Sequence, residues 1–379
     1  MGGAKSVRRK RRRWPWLAGI LAAGTLGGCL LCIPPQSFRQ VKQPREGRVM
    51  NQRVALVYSN HYQVNMGGAE RLHSFDIRKY AKIYLQLNTD GLIRPEDVFV
   101  PEPLDTEQIL LVHTPELLKS LKDSVAIACY LEVPAAALAP AEVLDAGVLS
   151  PFRYACGGTL LAARLALKHG VAINLGGGYH HAKPSAGEGF CVYNDLAIAV
   201  RALQKEGLAR RVLIVDLDVH QGNGTSVCLG GDPSVFIFDM FEADIYPAHK
   251  EQVNLAVPLP SGTGDRQYLR LLAESLPQAI ERAGPDLVLF QAGCDVLAGD
   301  PLARLELSEQ GIVQRDAAVI DACAQRGIPV AMVLGGGYSD RAWRVQYASV
   351  RRTIERYGLE SGRPYPPRDP SIKEKVYTK

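Results

Sequence analysis

Paired cysteines are missing from the body of this chain. Eight cysteines are present, Cys29, Cys32, Cys129, Cys156, Cys191, Cys228, Cys294 and Cys323, and the one C-x-x-C spacing among them lies in an apolar leader. Neither a zinc-knuckle spacing nor a disulfide framework can be built from such a scatter. Those in apolar stretches read as reduced core thiols. An excess of positive charge is also missing once the first residues are passed. The formal net charge is +5, but Lys5, Arg8, Arg9, Lys10, Arg11, Arg12 and Arg13 precede Trp14 and leave the remainder slightly acidic. A nucleic-acid partner would need a basic face on the folded domain, so none is expected. No repeat of fixed period is present, which excludes a solenoid. No G-K-[ST] follows either Gly-rich turn, which argues against a phosphate loop.

What is there begins with a leader at residues 1–33, followed by a polar linker at 34–52 and one large domain at 53–379. A chain of 379 residues can bury a single sizeable core. Residues 14–33 carry no charge after the basic run, long enough as a helix to cross a hydrocarbon layer. Leu26, Gly27, Gly28 and Cys29 resemble the cleavage site of a bacterial lipoprotein signal. An uncleaved anchor, with its Arg-rich start cytoplasmic, explains the same residues, and Gly2 with Ser6 matches a myristoylation pattern. Each reading expects a membrane-associated or exported protein. A translation start at Met50 would instead leave a cytoplasmic one. Nothing in the sequence specifies an oligomeric state.

From residue 54 onward, short runs rich in Val, Ile and Leu alternate with longer helical patterns. That alternation predicts an α/β fold of three layers, a mostly parallel central sheet with helices on both faces. Strands are expected at 54–58, 171–175, 212–217, 235–238, 287–291 and 330–334, and helices at 75–87, 160–169, 196–206, 267–283 and 308–326. Open sheets of this kind hold ligands beyond the carboxyl ends of their strands. Four strand ends here run into chemistry-bearing residues: His180 and His181 after three glycines, Asp216, Asp218 and His220 in D-L-D-V-H, Asp295, and Tyr338 after Gly335, Gly336 and Gly337.

Asp218, His220 and Asp295 read as a metal-ligand set, since two carboxylates and an imidazole leave one position open for water, the layout of a catalytic zinc site. Fe(II) could occupy the same ligands. The tandem His180 and His181 can flank that water, one neutral ring taking a proton while a charged ring stabilises the transition state or protonates the leaving amine. Asp216 and Asn223 stand where they could hold the rings' other nitrogens, the carboxylate raising basicity and the amide orienting without charge. Tyr338 can supply the donor that a tetrahedral oxyanion needs opposite a metal, and the Gly-rich turn before it allows close approach. The bland alternatives are a solvated strand end, a surface His pair and a rim aromatic. Convergence of four strand ends outweighs each of them.

At this point the residues resemble a family. N-L-G-G-G-Y-H-H-A, G-E-G-F-C-V-Y-N-D, D-L-D-V-H-Q-G-N-G-T and L-G-G-G-Y look like the signature blocks of the histone deacetylases, in order, across residues 53–359. R-L-H-S-F-D, Gln221-Gly222-Asn223 and A-G-C-D-V-L-A-G-D resemble the class IV branch most. The resemblance implies an arginase/deacetylase fold and a zinc-dependent hydrolase of acyl-lysine or a related acyl-amine, acetyl or longer. It implies zinc on Asp218, His220 and Asp295, proton handling by His180 and His181, and carbonyl polarisation by Tyr338. Phe190 after Gly189 would line a tunnel for the acyl-lysine stem, with Tyr246 as the opposite wall, and Gly336 would also bind substrate. Asp216 and Asp239 fall at a structural potassium site, although Asp239 stands where serine is frequent. Ser74, where class IV relatives usually carry proline, is a small departure at the rim. Three rivals remain: a two-manganese ureohydrolase, which needs a carboxylate where Gly222 stands; an inactive, membrane-tethered binder of acyl-amines; and an acetylpolyamine or other small-amide hydrolase.

Overall fold

The computed structural model describes residues 52–360, except 69, 71 and 72. The leader, all but the last residue of the linker and part of the R-L-H-S-F-D block lie outside the described residues. Eight strands form one sheet: β1 Arg53–Val57, β2 Val98–Phe99, β3 Gly170–Asn174, β4 Val212–Asp216, β5 Val235–Glu242, β6 Leu255–Leu259, β7 Leu287–Gln291 and β8 Val330–Val333. Their order is β2-β1-β3-β8-β7-β4-β5-β6, and every pairing is parallel. The expected "mostly parallel" sheet is therefore wholly so.

Parallel strands need crossover connections, and here those are largely helical, in two sets. Helices Ser150–His169 and Asp195–Lys205 pack against each other, the former on β1, β3 and β8. Helices Asp265–Ala283, Glu309–Gln325, Ala342–Tyr357 and Lys79–Thr89 pack in sequence on one another as the second set. With helices above and below, β3, β4, β7 and β8 are buried at every residue. That is why they read as unbroken apolar runs rather than alternating ones. The edge strand β6 alternates instead and contains Pro258, which an edge tolerates.

The sheet order explains the convergence expected from the sequence. β3, β8, β7 and β4 are the four central neighbours. All are parallel, so their carboxyl ends open on one edge. Register carries the alignment to single residues, with Asn174 opposite Val333, Gln291 opposite Val333 and Asp216 opposite Gln291.

Candidate metal centre and active site

Beyond the end of β4 the chain leaves the sheet and turns inward, bringing Asp218 and His220 to Asp295 from the end of β7. One ligand atom from each lies within 4.8 Å of the other two. His220 Nδ1 is 3.2 Å from Asp218 Oδ1 and 3.2 Å from Asp295 Oδ2. The remaining carboxylate oxygens are held by the backbone: Asp218 Oδ2 accepts from Gly336 N at 3.0 Å, and Asp295 Oδ1 accepts from Val219 N at 2.9 Å. Asp295 Oδ2 is buried and, apart from the His220 Nδ1 that faces it, has no hydrogen-bond partner. Burial and the neighbouring Asp218 push the Asp295 carboxyl up to about 7. Two buried carboxylates and an imidazole turned on one point, with one oxygen orphaned, fit a divalent cation. Gly336 is required there, because a side chain would run into both Asp218 and Asp295.

The two tandem histidines sit on this cluster in different surroundings. His180 Nδ1 lies 2.8 Å from Asp216 Oδ2 and its Nε2 lies 3.7 Å from Asp218 Oδ1. Burial alone would lower its pKa, but the two carboxylates overcome that and raise it to about 9. His181 Nδ1 instead meets the neutral Asn223 Oδ1 at 2.7 Å. Burial, then the charges of His180 and His220, hold its pKa well below the usual histidine value. Groups of one kind whose pKa values are driven apart are the mark of divided acid and base roles.

Both loops that frame the site are tied down by groups the sequence did not single out. Lys79, fully buried, donates from Nζ to Gly335 O at 2.7 Å and Gly336 O at 2.9 Å, and Asp300 accepts from Tyr338 N at 2.8 Å. Asp195 accepts from Gly178 N and Tyr179 N at 2.8 and 2.7 Å. A fully buried Arg315 donates to Leu217 O and Gly293 O at 2.9 and 2.7 Å and to Ala292 O at 3.2 Å. Charged residues inside helical patterns normally read as solvent-facing; of these groups, Asp195 and Asp300 stand at the ends of the G-E-G-F-C-V-Y-N-D and A-G-C-D-V-L-A-G-D blocks, and Lys79 and Arg315 stand in no block.

The substrate-side residues surround an apolar cleft of about 790 Å³, open mouth included. Gly189 and Phe190 form a tight turn in which both φ angles are positive, 55° and 64°. Glu188 and Cys191 close that turn through N–H to carbonyl bonds of 3.0 and 2.9 Å. A β-carbon at Gly189 would strike His181, so glycine lets the turn press against the imidazole while Phe190 is presented in a strained conformation. The Phe190 ring lies 4.5 Å from His73 and 6.0 Å from Tyr338. Gly189, Phe190, Gly336 and Tyr338 all line the cleft. The Tyr246 ring lies 5.0 Å from His181 and 6.1 Å from His220. Asp216 and Asp239 pair in register on β4 and β5. Asp239 Oδ2 accepts from Gly222 N at 3.0 Å and its Oδ1 is buried without a partner. Gly222 leaves no room for the carboxylate a second manganese would need, since a side chain would run into Asp216.

A parallel α/β sheet with this constellation at its carboxyl edge defines an amide-hydrolysing deacylase. A histone deacetylase domain matches residues 73–354, and the chain belongs to the histone deacetylase family. It is similar to histone deacetylase 2 of Arabidopsis thaliana, 37% identical over 345 residues that cover 86% of this chain and 88% of that one. It is also similar to the acetoin utilization protein AcuC of Bacillus subtilis, 28% identical, covering 82% of this chain and 84% of that one. Its fold matches the crystal structure of the HDA15 HD domain with a TM-score of 0.63 at 22% identity, over 81% of this chain and 89% of that domain.

Proposed function

We propose that this deacetylase is zinc-dependent and removes acyl groups, acetyl or longer, from lysine side chains or related amines. The observation that carries the reading is the orphaned Asp295 Oδ2, turned with Asp218 and His220 Nδ1 toward one point. A divalent ion held by those three residues would polarise the acyl carbonyl and make a water acidic enough to attack it. The chain's own groups do the rest. His181, neutral, accepts the proton of the attacking water at Nε2 because its Nδ1 is occupied by Asn223, and gives it to the amine nitrogen as the C–N bond breaks. His180, charged and anchored on Asp216, offsets the negative charge of the tetrahedral state. The Tyr338 hydroxyl donates to the carbonyl oxygen as charge builds on it. The tight turn at Gly189 and Phe190 with Tyr338 forms the apolar sleeve around the substrate stem. Asp239 Oδ1 and Asp216 would hold a monovalent cation, potassium, behind His180.

Support for longer acyl groups comes from the rest of the cleft lining, where Val64, Met66, Leu131, Val133, Val148 and Phe152 offer apolar wall in excess of what an acetyl group covers. The decisive experiment pairs metal analysis with turnover. Asp218→Ala is expected to lose bound zinc and deacylation of acyl-lysine peptides and acylpolyamines together. Full activity of that variant in the presence of a chelator would end the proposal, and the substrate panel separates protein from small-amine substrates.

A further inference from the structure

Glu188 belongs to the G-E-G-F segment, yet its side chain leaves the tunnel wall and enters the network behind His181. Its Oε1 accepts from Asn223 Nδ2 at 3.0 Å and from the Tyr246 hydroxyl at 2.5 Å. Its Oε2 pairs with Lys183 Nζ at 2.5 Å. Although partial burial opposes ionisation, the donors Lys183, Tyr246 and Asn223 keep its pKa below the usual carboxylate value. An ionised carboxylate can only accept hydrogen bonds.

That restriction has a consequence for Asn223, which is 2% exposed and sits between Glu188 and His181. An amide can face its neighbours in two ways, oxygen or nitrogen first. Facing an acceptor-only group, Asn223 must present Nδ2 to Glu188, and Oδ1 is thereby turned to His181 Nδ1. The imidazole then carries its proton on Nδ1 and keeps an open lone pair on Nε2. Were the amide reversed, Nδ2 would donate to Nδ1 and the ring proton would move to Nε2, where it would block proton uptake.

We propose that Glu188 is a positioning residue for His181, selecting through the orientation of Asn223 the imidazole tautomer able to act as base. The proposal rests on the reading of His181 as the proton acceptor. It also makes the two histidines differ by design: His180 touches its carboxylate directly, whereas His181 is separated from its own by one amide, which transmits orientation without charge.

The test uses the full, zinc-loaded chain labelled with ¹⁵N-histidine. Glu188→Ala is expected to lower kcat on an acetyl-lysine peptide by about 10- to 100-fold, the usual effect of losing an outer partner of an active-site ring, with KM little changed. Its His181 Nε2 resonance should move from the unprotonated to the protonated position. Glu188→Gln keeps a carbonyl acceptor for Asn223 and Tyr246 but adds an N–H donor, so it should restore kcat and the original resonance only in part, between Glu188→Ala and the wild type. A Glu188→Ala variant with wild-type kcat and an unmoved resonance would overturn the proposal. So would an effect on KM alone, which would reduce Glu188 to a clamp on Tyr246. If His181→Ala kept full activity, the reading of His181 as base would fail, while the resonance would still judge the link from Glu188 to the tautomer.

Discussion

Tyr338 and His113 show two ways in which a single side chain is committed by its surroundings. Tyr338 is fixed at its backbone by Asp300, and its ring stands 6.2 Å from His220 and 5.9 Å from Phe75. Tyr338→Phe keeps that packing and removes one donor. It is expected to retain zinc and lose kcat by roughly 10²-fold or more, as for other oxyanion donors; unchanged turnover with metal present would remove the hydroxyl from the reaction. His113 is a different case, a lone histidine far from any strand end that no spacing marks. Its Nδ1 lies 3.0 Å from Lys183 O, while its Nε2 accepts from Asn194 N at 2.9 Å. The neutral ring satisfies both partners, and a second proton would face an N–H. Burial pushes its pKa down to about 4 against the pull of the backbone carbonyls. Unfolded, it titrates near 6.5. Between those values the unfolded chain binds a proton that the folded chain refuses, so this contribution to stability is complete above pH 6.5. It falls as pH drops to 4, by about 3 kcal/mol in all. The urea midpoint of the wild type should therefore approach that of His113→Gln as pH falls from 7.5 to 4.5. Parallel profiles for the two proteins would contradict this account.

Arg315 belongs to the scale of elements, because its effect is to bind a helix to two strand ends at once. From helix Glu309–Gln325 it reaches the carbonyls of Leu217, Ala292 and Gly293, just ahead of Asp218 and Asp295. Its partner Asp316 is equally buried, 2.7 Å away. Arg315→Met would leave a buried carboxylate and three carbonyls unpaired, a loss of about 3–5 kcal/mol. The expected result is a lowered melting temperature in the metal-free protein together with weaker zinc binding. A variant that melts and binds like the wild type would make the contact incidental. The sequence disclosed the strands well and the helices less so, for reasons visible in particular residues. β3, β4, β7 and β8 fall within a residue or so of their expected bounds because full burial makes them apolar throughout. Helix Ser150–His169 begins ten residues earlier than the expected start at 160. Gly157 and Gly158 make that first half read as a loop, but the helix needs them small, since a side chain at Gly157 would strike the Glu102 carbonyl. β6 was not legible because Pro258 interrupts it at an edge. The candidate ligands and the tandem histidines could be singled out because strand ends collect them in one dimension. Lys79, Arg315 and Glu188 were not, because their partners are brought in by the fold.

At the scale of the molecule, two expectations meet, one about where the enzyme sits and one about what it accepts. The leader lies outside the described residues, and among the described residues no helix is long and apolar enough to cross a membrane. If residues 1–33 tether the enzyme, full-length chain should fractionate with membranes and a chain begun at Met50 should not; equal solubility would remove the tether. What the enzyme accepts depends on the cleft, whose lining joins the aromatics Phe190 and Tyr338, the polar Asp218 and His180 and the apolar Val148 and Phe152. Each methylene taken from water into such a wall gains about 0.8 kcal/mol. An octanoyl group, about six methylenes longer than acetyl, could thus gain several kcal/mol in kcat/KM before diffusion limits it. The gain requires that the chain extend past the metal ligands rather than fold back at the mouth. Gly177, Gly178, Gly335 and Gly336 line that passage without side chains to close it. One peptide carrying acetyl-, octanoyl- or myristoyl-lysine tests the argument: kcat/KM should rise from acetyl to octanoyl. Introducing bulk at the apolar wall, as in Val148→Trp, should abolish the rise while sparing the acetyl substrate. A strict preference for acetyl in the wild type would mean that the apolar wall serves packing and that the site ends at the metal.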